Sequence, residues 1–191
     1  MRSTLGNHVE GGETTGEGLN RLRQLISLSI YPNADTLLYW EGGADIIDLI
    51  REVDGQLVFS PTASGYPYSV PLTETLGLIQ TNIEAAISEG QTAGLTVYVA
   101  TYFSLRESTA QCDLLSLHVI LPSQAQNANG YVLLLNERIR QAAMNKGAVV
   151  VDIASADDVL HADDANFLNC NHLSDKGNEI VAQLFAEALG Q

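Results

Sequence analysis

His172 lies in FLNCNHLSDKGNEI, a loop that runs into a helix-forming stretch, and an imidazole so placed can take or give a proton at a reacting centre. Near the other end of the chain, NHVEGGETTGEGLNRL (Asn7 to Leu22) sets Gly11 and Gly12 before a Glu-Thr-Thr turn and leucines at helical spacing. It reads as a loop that presents backbone N–H donors ahead of a helix, and donors need acceptors; a tight turn is the plain alternative. In a third loop, EGGADII, Asp45 reads equally as a site residue or as an acid favoured at a helix N-terminus by the dipole. Ser174 is expected to cap the final helix. His8, His118 and His161 read as ordinary histidines, and Tyr66 and Tyr68 as packing residues.

Strands and crossover helices must hold these loops. Leu19, Leu22 and Ile26 mark a first helix ending near Ser29; DTLLYW (35–40) is a short apolar run of the kind buried on both faces of a sheet. EGGADIIDLIREV turns helical again. Residues 54–74, with Pro61, Pro67 and Pro71, read as an irregular surface excursion. Helices follow over 75–89, 131–146 and 178–189, with strands in GLTVYVATYFSL and AVVVDI, and Gly147 closes the second of these helices. Alternating strands and helices predict one α/β domain over 1–191 with a parallel sheet. Its chemistry should collect at the carboxyl ends of the strands, in the loops 11–15, 42–45, 102–107 and 162–174.

The composition narrows the function. A net charge of −14, with no basic cluster beyond the scattered Arg21, Arg23, Arg138 and Arg140, excludes a nucleic-acid partner. No apolar run reaches the roughly 18 residues of a membrane span, and the first ten residues carry no apolar signal core; the compartment stays open. Cys112 and Cys170 lack metal-ligand spacing and read as two thiols, with a disulfide as the alternative.

Taken in order, NHVEGGETTGEGLNRL, LLYWEGGADII, VATYFSL, LNERIRQAAMNKGAVVVDI and FLNCNHLSDKGNEIVAQLFAEAL resemble the SGNH hydrolases, also called GDSL lipases and esterases, from Asn7 to the C-terminus. The resemblance implies a flavodoxin-like three-layer α/β/α sandwich, an ester or acylated small molecule as substrate or ligand, and no cofactor or metal. It makes His172 the base and Gly12 an oxyanion donor. Asn169 falls at the family's Asp position, Ala44 at its Asn position, and Gly43 and Asp45 in the same binding loop.

The departures carry as much weight. The sequence holds no Gly-Asp-Ser, so the family's nucleophile is lacking, and Ser3 lies too close to the glycine loop to replace it. Ala44 offers no side-chain amide to an oxyanion, and Asn169 cannot stabilise an imidazolium by charge. Three accounts stay open: an incomplete piece of an esterase, a degenerate relative that binds a ligand, or a missing first strand and helix supplied by another chain. The missing strand leaves an unpaired sheet edge, for which a homodimer, strand exchange or rearrangement of residues 1–10 onto it is the expected cover.

Overall fold

The computed structural model describes residues 12–59, 69–107 and 122–190. Helix α1 (Thr15–Ser27) starts on a capping box: Thr14 accepts the Glu17 N–H, and the Glu17 carboxylate takes the Thr14 N–H at 2.9 Å. After β1 (Thr36–Tyr39), helix α2 (Gly43–Leu49) runs through a π-helical turn (Ile50–Asp54) into α3 (Gly55–Phe59). Helix α4 (Val70–Thr92) is capped by Ser69. Its Pro71 sits in the first turn, where the absent N–H has no helical partner to lose. The excursion expected over 54–74 is therefore helical at both ends; residues 60–68 lie outside the described residues.

Strand β2 (Thr96–Ala100), α5 (Pro122–Lys146) and β3 (Val149–Val151) complete the sheet and its crossover. Helix α5 begins well before Tyr131, where the sequence had placed its start. The weak helix formers Asn127, Asn129 and Gly130 hide a buried stripe through Ala125, Ala128 and Tyr131, and packing of that stripe overrides propensity. A 3-10 turn (Ile153–Ala156), α6 (Asp157–His161), a second 3-10 turn (Asp164–Asn166) and α7 (Asp175–Ala188) close the described chain. Ser174 caps α7 as expected, accepting the Gly177 N–H.

The sheet is parallel, in the order β1-β2-β3. Because side chains alternate along a strand, Val97 and Val99 enter one core with α1, α2, α4 and α5, while Tyr98 and Ala100 enter a second with α6 and α7. The result is the three-layer α/β/α sandwich. Leu38, Tyr98 and Val149 form one row across the second face, and there Leu38 and Val149 stay 38% and 40% exposed. Among the described residues, no strand pairs with the outer edge of β1.

Candidate active site

The loop between α6 and α7 holds His172 by its backbone. Phe167 and Leu173 form an isolated antiparallel bridge, the Leu168 N–H donates to the His172 carbonyl at 2.8 Å, and the Ser174 N–H donates to the Asn166 carbonyl at 2.9 Å. The Asn169 side chain fills the bend: its Oδ1 accepts the N–H groups of His172 (2.9 Å) and Asn171 (3.1 Å), and its amide touches the ring at Nδ1. Asn169 and His172, which the family resemblance names together, are in contact. The imidazole is exposed, and among the described residues no hydroxyl lies within hydrogen-bonding distance of it.

Two residues with no catalytic signature in the sequence fix this loop from below. Arg106, 5% exposed, donates its backbone N–H to the Cys170 carbonyl at 3.0 Å, pairs with Asp164, and lays its guanidinium over the Phe167 ring at 5.6 Å. Cys170 is fully buried and disulfide-bonded, which corrects the reading of two thiols. Spacing tests for metal ligation along the chain, whereas pairing depends on proximity in the fold. The other cysteine, Cys112, lies outside the described residues, as do Ser3, His8, Tyr66, Tyr68 and His118.

The donors of the glycine loop meet acceptors inside the protein. The Thr15 N–H and hydroxyl both donate to Asp45, at 2.8 and 2.9 Å, tying the start of α1 to the start of α2. Burial raises the Asp45 carboxyl above its ordinary value, and these two bonds pull it back. Gly42 caps α2 at φ +125°, a conformation suited to glycine. A Cβ on Gly43 would lie 2.9 Å from the Tyr102 ring, so the start of α2 packs directly on that side chain. Ala44, half-buried in the first turn of α2, presents a methyl group. Gly12, at φ +84°, is exposed and the least encumbered member of the set.

Between these loops, burial pushes the half-buried Glu41 up to about 7; Arg21 opposes the shift, and Asp45 and Glu17 add to it. The fold disfavours the ionised form. Stability from this group is complete below the ordinary value of 4.5 and is lost as the pH climbs through about 7. Glu41→Gln is therefore expected to stabilise the protein at alkaline pH by about 1 kcal/mol, after discounting for solvent screening, and to leave acidic stability unchanged. Thermal unfolding across that range checks it; parallel pH curves for the two proteins would remove Glu41 as the cause.

The loop after β2 is set by two asparagines of α5. Asn136, 3% exposed, accepts the Tyr102 N–H at 2.7 Å and donates to the Tyr102 carbonyl at 2.8 Å. Asn129 does the same for Leu105, at 2.6 and 3.0 Å. Two helical turns advance about 10.5 Å, and three residues of extended chain about 10 Å, so the amides match the backbone groups they hold. Asparagines on an otherwise apolar helical stripe were the available sequence signal.

A second Ser/His pair, Ser104 and His161, resembles a nucleophile and base but is not built as one. His161 Nε2 lies 3.2 Å from the Ser104 hydroxyl and 3.1 Å from the Ser104 carbonyl oxygen. A bare nitrogen facing a carbonyl oxygen is repelled, so Nε2 carries the proton and donates. Asp157 accepts the Ser104 N–H at 2.9 Å. The reading of His161 as an ordinary histidine agrees with this geometry.

No protein-family model and no curated protein matches the sequence. Solved structures do. An acetyl xylan esterase is 17% identical over 94% of this chain and 78% of its own, with a TM-score of 0.60. A GDSL-like lipase from Bacteroides thetaiotaomicron is 16% identical over 94% and 72%, at 0.59. A psychrotrophic esterase from Pseudoalteromonas gives 16%, 94%, 72% and 0.57. At such identities the likeness speaks for the backbone alone, and it shows that this chain has an SGNH-hydrolase-like fold.

Proposed function

We propose that this protein holds the acyl-ester site of a GDSL-type hydrolase in a form that binds small esters or acylated molecules with little or no serine-esterase turnover. The observation that carries this reading is the bare face of His172: an imidazole held by Asn169 at the start of α7, with no hydroxyl beside it among the described residues. Acyl transfer by a serine triad needs an oxygen nucleophile within reach of the base and donors aimed at the developing oxyanion. Here Ala44 supplies no side-chain amide, and the sequence holds no Gly-Asp-Ser. The names of the matched structures support a small acyl ester as the ligand class.

Hydrolysis of p-nitrophenyl acetate tests this. The expected rate is close to the uncatalysed background and the same in His172→Ala. A rate well above background that collapses in that variant would replace this reading with that of a working esterase.

A further inference from the structure

The Asn169 amide has two atoms near the His172 ring, and they are not equivalent. Its oxygen is identified by the network: Oδ1 accepts the N–H groups of Asn171 and His172, and a flipped amide would aim its own NH2 at both donors. In this orientation Nδ2 lies 2.9 Å from His172 Nδ1 and Oδ1 lies 3.1 Å from it.

A neutral imidazole carries one proton, on Nδ1 or on Nε2. A proton on Nδ1 would face the Asn169 NH2, and its only acceptor would be Oδ1. That oxygen has two lone pairs, and two backbone N–H groups already point at it. A bare Nδ1 instead accepts an N–H from Nδ2, and every partner is satisfied. A carboxylate at position 169 would have no N–H to give and would demand the proton on Nδ1. The single exchange of oxygen for NH2 therefore decides which way the exposed nitrogen behaves.

We infer that Asn169 is a positioning residue that fixes the neutral His172 ring with its proton on Nε2, so that the ring presents a hydrogen-bond donor to the carbonyl or carboxylate oxygen of a ligand. The inference rests on the reading of the His172 loop as the ligand site. It changes the chemistry of that site: a nitrogen that holds a proton cannot take one from a nucleophile, whereas it can bind an acyl oxygen. The Nδ1-protonated form needed by a general base becomes the minor species.

The test is the tautomer of His172, read by long-range proton–nitrogen NMR at a pH where the rings are neutral, followed by titration with acetate against a chloride control of equal ionic strength. The wild type should show Nε2–H. Asn169→Asp, which keeps an oxygen for both backbone donors, should switch the ring to Nδ1–H, and Asn169→Ala should give a mixture. Acetate should shift the His172 resonances in the wild type, and the shift should be lost in Asn169→Asp. Nδ1–H in the wild type overturns the inference; Nε2–H without an acetate response overturns its ligand. The esterase assay separates this from the underlying reading, because His172-dependent turnover would remove the binding role whatever the tautomer of the resting ring.

Discussion

Gly177→Ala is expected to melt about 6–12 °C below the wild type, corresponding to a loss of about 3 kcal/mol from overpacking. A Cβ on this residue would stand 2.1 Å from the Asn166 carbonyl oxygen, a backbone atom with no rotamer to escape into, and 3.1 Å from the Leu173 Cβ. The first turn of α7 and the Asn166 turn must separate by about 1.3 Å to restore ordinary contact. The Asn166 carbonyl also accepts the Ser174 N–H, so the separation loosens the bond that seats the α7 cap. Asn166 itself is buried and ties back to the Leu160 carbonyl at 3.0 Å. Thermal unfolding by circular dichroism measures the loss, and hydrogen exchange at the Leu168 amide shows whether the His172 loop opens with it. A melting point within about 2 °C of the wild type, less than about 1 kcal/mol for a chain of this size, would mean that the two segments accommodate the methyl group without cost.

Asn136→Leu should cost a comparable amount by another route. The substitution nearly preserves volume on the buried face of α5 but leaves the N–H and carbonyl of Tyr102 without partners, at about 1–3 kcal/mol for each buried group. Asn129→Leu removes the matching pair at Leu105, closer to solvent, and should cost less. Denaturant midpoints rank the two variants. Near-ultraviolet dichroism should weaken more for Asn136→Leu, because Tyr102 packs on Trp40 with ring centres 5.4 Å apart. Losses below about 0.5 kcal/mol for both would show that water replaces the amides freely and that they do not set the loop.

Several parts of this arrangement were legible before any coordinates. Apolar periodicity located the three strands of the described residues and the larger helices, because a buried stripe imposes its own repeat. Residue chemistry located the ends: Ser174 at its cap, Gly147 at a positive φ past the end of α5, and the glycine loop ahead of α1. Asn169 and His172 were named together only through the family resemblance, and their contact is local in the chain. Arg106 was not legible. Its contacts, Asp164, Phe167 and the Cys170 carbonyl, are scattered over a segment nearly sixty residues away, and nothing in its own surroundings marks it as buried. The disulfide at Cys170 and the Asp45–Thr15 contact were hidden for the same reason. Helix α6 and its flanking turns are too short to establish a period.

The two asparagine clasps also define where this protein tolerates change. Both ends of the Tyr102–Leu105 stretch are pinned to α5 at a fixed separation, so inserting or deleting one residue between them would force one amide to abandon its partner. The number of residues there is fixed, and Phe103 and Ser104 are further held by the Phe167 ring and by His161. Beyond Leu105 that constraint ends, so a change of length placed after Glu107 leaves both clasps closed, provided that it keeps Cys112 for the disulfide at Cys170.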